Sequence, residues 1–229
     1  MKVPVNRPLL NGNESAYLME CISTGWISSE GPFVSKFESE FAAKVGREFG
    51  IAVSNGTAAL DIAFELIDLQ PGDEVIIPAF TIISCVHQII RRGAIPVLID
   101  CDSNTWNMDT ALIESRISTR TRAILVVHIY GLPTNMADIE RITQQHGLFL
   151  IEDAAEAHGL SFDGRPCGSF GDVSTFSFYP NKLITTGEGG MIMVDDPVLA
   201  ERCRKLRNLA FDPNGRRFVH NELGWNYRM

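Results

Sequence analysis

Residues 51–66 read IAVSNGTAALDIAFEL, and this stretch decides the predicted fold. It opens on an apolar run, Ile51–Ser54, that predicts a buried strand ending at an Asn-Gly turn. Within Thr57–Leu69, apolar side chains then recur at the i, i+3, i+4, i+7 spacing that is typical of one helix face. They are Ala59, Ile62, Ala63 and Leu66. The stretch therefore predicts a strand followed directly by a helix.

The same alternation continues along the rest of the chain. Six further apolar runs predict buried strands, at Glu74–Phe80, Ile95–Cys101, Ala123–Tyr130, Leu148–Glu152, Ser174–Phe178 and Gly190–Val194. Helical patterns occupy Phe33–Val45, Asn135–His146 and Pro197–Leu209, and Asp109 resembles the cap of another helix. Repeated alternation of this kind predicts an α/β fold, a mostly parallel sheet with helices on both faces. Ligands bind such sheets at the carboxyl ends of the strands.

Composition excludes several classes of protein. The chain has 229 residues, 45% of them hydrophobic and 21% charged, which is typical of a soluble globular protein. The formal net charge of -8 argues against a nucleic-acid partner. No apolar run approaches the roughly 18 to 20 residues of a membrane span, and Met1–Leu10 lacks the apolar core of a signal peptide. Five scattered cysteines favour reduced thiols, so we expect a cytoplasmic protein. Because no apolar run is long enough to span a membrane, we expect no membrane partner.

The first 35 residues differ in character from the rest. They are polar and rich in Gly and Ser, and they predict a loop or arm over residues 1–35 that leads into the first helix. The alternating pattern occupies residues 36–229, which we expect to form one large domain.

Three turns that follow predicted strands carry candidate chemistry. Around Gly56 and Thr57, a helix start offers free backbone N–H groups and a hydroxyl to an anion, although a plain strand–helix turn is the alternative. Asp153 ends an apolar strand, where it either faces a cation, such as a protonated ring nitrogen, or caps the next turn. Lys182 follows another strand and is either an ordinary surface lysine or a desolvated amine able to form a Schiff base. Together they match the phosphate, ring nitrogen and aldehyde of pyridoxal 5'-phosphate.

These motifs resemble the DegT/DnrJ/EryC/StrS family of sugar aminotransferases, whose large domain is similar to that of aspartate aminotransferase. Within the family, the sequence looks closest to the perosamine-forming members, which aminate the 4-keto group of GDP-4-keto-6-deoxymannose. The resemblance extends in order over essentially the whole chain. The segments that carry it are Trp26–Ser29, Ser54–Ala59, Glu152–Gly159, Thr175–Phe178 with Lys182, Thr185–Gly190 and Gly224–Met229.

The resemblance implies specific roles at the ring of the cofactor. Lys182 would form the Schiff base with pyridoxal phosphate and later carry the proton between the amino donor and the cofactor. Asp153 would pair with the ring nitrogen, and Glu156 would lie beside the ring and its 3-hydroxyl group. The substrates would be a nucleotide-linked keto sugar and glutamate, in the biosynthesis of a cell-surface polysaccharide.

The resemblance also implies a phosphate site and a shared active site. Gly56, Thr57 and Ser177 would hold the cofactor phosphate. Asn226 and Arg228 lie in a segment that reaches the active site of the neighbouring subunit in this family, so a homodimer is expected.

Two departures from the family pattern leave questions open. Family members place a ring-stacking aromatic at the position of Ile82, so either Ile82 covers the ring or Phe80 takes over. Family chains also continue beyond Met229 into a small C-terminal domain, and we expect the large domain here to be incomplete at that end. A non-catalytic relative is therefore one alternative function.

A sugar dehydratase of the same family is another alternative, but in those enzymes a histidine replaces the lysine that is present here as Lys182. His128 and His158 are each either a substrate contact or a structural histidine. No metal site is predicted.

Overall fold

One seven-stranded sheet organises the molecule. The computed structural model describes residues 3–4, 6–212, 215–216 and 218–229. The strands are β1 Phe49–Val53, β2 Glu74–Pro78, β3 Ile95–Ile99, β4 Thr121–Val127, β5 Phe149–Asp153, β6 Ser161–Phe162, β7 Arg165–Pro166, β8 Val173–Ser177 and β9 Gly190–Val194. The helices of this part of the chain are α1 Glu14–Thr24, α2 Pro32–Val45, α3 Gly56–Glu65, α4 Ile83–Arg91, α5 Met136–His146 and α6 Pro197–Arg207.

The sheet has the order β1-β9-β8-β5-β4-β2-β3, and β6 and β7 pair as a separate hairpin. Strand β9 runs antiparallel to β1 and β8, whereas the pairs from β8 to β3 are parallel. All seven predicted strands overlap strands of this sheet, and the prediction of a mostly parallel α/β fold is confirmed. The run Glu74–Phe80 is buried in β2, as predicted. The run Ile95–Cys101 was also predicted to be buried, which is wrong for β3, because β3 lies at the sheet edge and leaves Leu98 half-exposed.

Helices cover both faces of the sheet, as predicted. Successive side chains of a strand point to opposite faces. Val75 and Ile77 accordingly pack in a cluster with α3, α4 and α6, whereas Ile76 packs in a second cluster with α5. A third cluster joins α2 to β8 and β9 through aromatic and methionine side chains. None of the described helices combines the length and the apolar composition that crossing a membrane requires.

Three parts of the helix prediction differ from the structure. The predicted loop over residues 1–35 contains α1, none of whose residues is buried, although Leu18, Cys21 and Ile22 recur at the spacing of one helix face. Helix α4 lies outside the predicted helices, although Ile83, Val86 and Ile90 recur at the spacing of one helix face; Cys85 and Ile89 are buried, whereas Ile83 and Ile90 are exposed. The expected helix after Asp109 is only a 3₁₀ turn, Thr110–Leu112, with the Asp109 carboxylate accepting the Ala111 amide at 3.0 Å.

Candidate active site

A cleft of about 610 Å³ lies at the carboxyl ends of β5 and β8, where α3 begins. Five of the predicted site residues line it: Gly56, Thr57, Asp153, Ser177 and Lys182. Glu156 lines an adjoining pocket of about 270 Å³, which shares Asp153 and Lys182 with the cleft. The topology thus brings together six residues that are up to 126 positions apart, counted from 56 to 182.

Asn226 is the predicted site residue that this arrangement leaves out. Its exposed side chain is outside the lining of both pockets and accepts a hydrogen bond from Arg228 Nε at 3.0 Å. The next residue, Tyr227, does line the cleft.

The start of α3 forms one wall of the cleft. Asn55 caps the helix, because its Oδ1 accepts the Ala58 amide at 2.8 Å. A side chain at Gly56 would collide with the neighbouring strand, since a Cβ there would lie 2.9 Å from the Ser177 Cβ. The amide groups of a first helical turn have no partner within the helix and attract anions. The close approach of Gly56 therefore places these amides and the Thr57 and Ser177 hydroxyls around one small space.

Asp153 is the last residue of β5 and is 3% exposed. Its Oδ1 accepts the Ala155 amide at 3.0 Å, and its Oδ2 lies 3.5 Å from the Cys85 thiol. Burial raises the pKa of Asp153, while these hydrogen bonds and the charge of Lys182 oppose the rise. Asp153 therefore caps its own turn, which is one of the two alternatives drawn from the sequence, and it also lines the cleft. That it faces a cation stays a prediction.

Lys182 is held inside the site, not free at the surface. Its Nζ lies 3.3 Å from Glu156 Oε1, and its side chain is 15% exposed. The other oxygen of Glu156, Oε2, accepts the Tyr130 amide at 2.8 Å. Glu156 thus fixes the position of the amine, and Tyr130 fixes the position of Glu156.

The wall that a ring-stacking aromatic would occupy is aliphatic. Ile82 is exposed and lines both pockets, whereas Phe80 lines only the smaller one. The Phe80 ring packs against Trp106 and Tyr130, with centroid distances of 5.5 and 6.1 Å. Ile82 is therefore the better placed of the two residues to cover a ligand in the larger cleft.

His128 is a structural residue behind the cleft. It is fully buried, with Nε2 2.8 Å from Glu152 Oε1, and its Nδ1 accepts the Thr134 amide at 3.1 Å. The Thr134 amide occupies Nδ1, so His128 donates to Glu152 through Nε2.

The donor atoms of His128, Glu152 and Cys167 lie within 4.8 Å of one another, the spacing of a metal site. The Glu152 oxygens, however, accept the amides of Gly168 at 2.5 Å and Phe170 at 2.8 Å. Each Glu152 oxygen thus accepts one backbone amide, and Oε1 also contacts His128, so the group supports the end of β5 by hydrogen bonding.

His158 is buried without a hydrogen-bond partner. Neither ring nitrogen finds one among the described residues, and the ring packs against Phe41, Phe176 and Phe178. Burial and the charge of Lys182 lower the pKa of His158 to about 4. His158 therefore stays neutral at physiological pH.

Replacing His158 by phenylalanine is expected to reduce the acid sensitivity of folding. Below pH 6.5 the unfolded chain protonates this histidine, and the folded chain does so only near pH 4. Wild-type stability should therefore fall by about 2–3 kcal/mol between pH 7 and pH 4.5 through this group, and His158→Phe should escape that loss. Urea unfolding at the two pH values measures the difference, with His87→Gln, an exposed histidine, as control. Equal acid sensitivity in wild type and His158→Phe would contradict the assignment.

Three further residues of the site escaped the sequence analysis. Thr175 lines the cleft with a buried hydroxyl that has no partner among the described residues. The Tyr227 hydroxyl donates to buried Asp61 at 2.8 Å, which anchors the chain end to α3. Cys85 contacts Asp153 from α4. Each depends on contacts between distant segments, and the sequence offers no periodic signal for them.

This geometry defines a class of protein, an α/β domain with a ligand cleft at the carboxyl ends of parallel strands. The cleft contains the amine of Lys182, the buried carboxyl group of Asp153 and the start of α3, whose amides attract anions. The chain belongs to the DegT/DnrJ/EryC1/StrS aminotransferase family, whose model matches residues 8–229.

Three similar proteins match this chain over 99% or more of its length. It is 47% identical over 228 residues to the GDP-perosamine synthase of Caulobacter vibrioides, and 43% identical over 227 residues to that of Escherichia coli O157:H7. The matches cover 100% and 99% of this chain but 61% and 62% of those enzymes. The aminotransferase TlmJ of Streptoalloteichus hindustanus superposes with a TM-score of 0.93 at 34% identity, over 100% of this chain and 63% of TlmJ. The chain therefore spans about 61% of the length of the first relative.

Proposed function

We propose that this chain forms the large domain of a pyridoxal-phosphate-dependent nucleotide-sugar aminotransferase. Its substrate would be GDP-4-keto-6-deoxymannose, its amino donor glutamate and its product GDP-perosamine. The enzyme would act in the cytoplasm, and its product would be used to build O-antigen or another cell-surface polysaccharide. Residues 36–229 would bind the cofactor, and residues 1–35 would flank the site. The observation that carries the proposal is that Lys182 and Asp153 line one cleft together with the start of α3. The perosamine synthases among the relatives support the choice of substrate.

The residues present fit the cofactor. The absence of a side chain at Gly56 leaves room beside Ser177, and the unpartnered Thr175 hydroxyl lies in the lining of the same cleft. Gly56, Thr57 and Ser177 would hold the phosphate. Asp153 would hold the ring nitrogen, Lys182 would engage the aldehyde carbon, and Glu156 would lie beside the ring. When bound, pyridoxal phosphate supplies an electron sink for the negative charge that develops next to the amine.

Asp153 acts through its burial. A buried carboxylate is stable only when it is paired, so the cleft favours a cationic nitrogen opposite Asp153. Because Oδ1 accepts the Ala155 amide and Oδ2 accepts only the weak thiol donor of Cys85, Oδ2 has more capacity for such a ligand. Asp153 therefore binds and orients the ring nitrogen and keeps it protonated.

Lys182 acts through its amine. The contact with Glu156 at 3.3 Å holds Nζ at the junction of the two pockets. An amine in this position can accept and return a proton at a carbon of either substrate. Glu156 contributes by keeping the amine in place between these transfers.

The second subunit of a homodimer would complete the site. Asn226 and Arg228 are exposed and contact each other outside the cleft of their own chain. In the proposed dimer, this pair would reach the active site of the neighbouring subunit.

A labelling experiment tests the function. The protein is loaded with pyridoxal phosphate, reduced with borohydride and digested, and the cofactor mass is expected on the peptide that contains Lys182. Unreduced holoenzyme is then incubated with GDP-4-keto-6-deoxymannose and ¹⁵N-glutamate, and mass spectrometry is expected to find ¹⁵N in the sugar nucleotide. A deoxygenated sugar without nitrogen would instead identify a dehydratase. Failure to bind the cofactor, or attachment elsewhere, would overturn the proposal.

A further inference from the structure

A buried thiol contacts the carboxylate that we assign to the ring nitrogen. Cys85 lies in the first turn of α4 and is fully buried. Its Sγ is 3.5 Å from Asp153 Oδ2, and the Thr81 hydroxyl lies 3.6 Å from the same sulfur. A short chain of polar groups thus runs from Thr81 through Cys85 to Asp153.

The thiol is the only described donor to Oδ2 of Asp153, since the Ala155 amide occupies Oδ1. Burial and the neighbouring charge of Asp153 raise the pKa of Cys85 well above its ordinary value, so the sulfur keeps its proton. A protonated thiol beside a carboxylate donates its hydrogen to that carboxylate. The two bonds therefore hold both carboxylate oxygens and fix the plane of the group.

We infer that Cys85 is a positioning residue for Asp153. It holds Oδ2 toward the cleft through a weak hydrogen bond, which leaves the oxygen a strong acceptor for a protonated ring nitrogen. A stronger donor in this place would compete with the ligand for the same oxygen. The inference rests on the proposed function, because it requires a ring nitrogen opposite Asp153.

The alternative is that Cys85 merely fills space, as buried cysteines often do. Cys203 provides the matched comparison. It is also fully buried and belongs to the same apolar cluster as Cys85, but it lies on α6, whereas the described thiol contact to Asp153 comes from Cys85 on α4. Replacing either residue by alanine removes the same sulfur atom from the same kind of environment.

The test measures the affinity for two ligands by quenching of tryptophan fluorescence. One is pyridoxal phosphate, and the other is its 1-deaza analogue, in which a carbon replaces the ring nitrogen. Cys85→Ala is expected to weaken binding of pyridoxal phosphate by about fivefold to tenfold. Binding of the analogue should change by less than about twofold, since the analogue makes no bond to Asp153. Cys203→Ala should leave the ratio of the two affinities at the wild-type value. Cys85→Ser should still lower the affinity for pyridoxal phosphate relative to the analogue, because the hydroxyl is a stronger donor that competes with the ring nitrogen for Oδ2.

Each outcome has a distinct meaning. If Cys85→Ala weakens both ligands equally, or if Cys203→Ala changes the ratio as much, Cys85 only packs and the inference is wrong. If Cys85→Ala does not fold, the same ratio measured on Cys85→Ser and Thr81→Val decides: wild-type values in both overturn the inference. If wild-type protein does not bind pyridoxal phosphate, the proposed function falls and the inference with it. Equal binding of both ligands by the wild type refutes the role of Asp153 and, with it, this inference.

Discussion

Replacing Lys182 by alanine is expected to lower the rate of amino transfer by about 10²–10⁴-fold. Lys182 is the only lysine among the described residues that line the two pockets, so no neighbouring amine can take over its proton transfers. The rate of ¹⁵N transfer from glutamate to the sugar nucleotide measures the effect. In the same variant, borohydride reduction should no longer attach the cofactor to the protein.

Two controls separate chemistry from folding in this experiment. Lys44→Ala removes an exposed lysine from α2 and should retain the wild-type rate. Methylamine added to Lys182→Ala supplies a free amine and should restore part of the activity, provided that the cleft itself is intact. Wild-type activity in Lys182→Ala would refute the assignment of this lysine.

The sequence predicted the fold best where consecutive residues of a strand are all buried. Runs such as Ala123–Tyr130 contain so many apolar residues that neither face of the strand can be exposed to solvent. The strand found there, β4, has one exposed residue out of seven. Because parallel strands end at one edge of the sheet, their order did not need to be known to place Asp153 and Lys182 together. Most of the candidate site therefore followed from strand ends and short motifs.

The parts that could not be predicted depend on contacts across the fold. Helix α4 presents Cys85 and Ile89 to the core but leaves Ile83 and Ile90 exposed, so the apolar spacing of its sequence does not identify the side chains that face the sheet. Without that helix, nothing places Cys85 beside Asp153. His158 looks like an ordinary polar residue in the sequence, and only the packing of three phenylalanine rings around it shows that it is unpaired.

Arg47 illustrates a contact of this kind that supports the site from behind. Its guanidinium donates to the carbonyl oxygens of Gly168 at 2.9 Å and Gly171 at 3.0 Å, and also to that of Phe170. It pairs with Asp195 at 2.7 Å while its own side chain is 3% exposed. The amides of the same loop bind Glu152, the residue before Asp153. The loop is thus held by its carbonyls on one side and by its amides on the other.

Replacing Arg47 by methionine is expected to lower the free energy of unfolding by about 3–5 kcal/mol. Methionine fills much of the volume, but three carbonyl oxygens lose their donor, and Asp195 loses its buried partner. Urea unfolding at neutral pH measures the change. Arg122→Met is the matched control, because Arg122 pairs with Asp73 at 3.0 Å from a half-exposed position, and its loss should cost less than about 1 kcal/mol. Similar costs for the two variants would mean that the loop does not depend on Arg47.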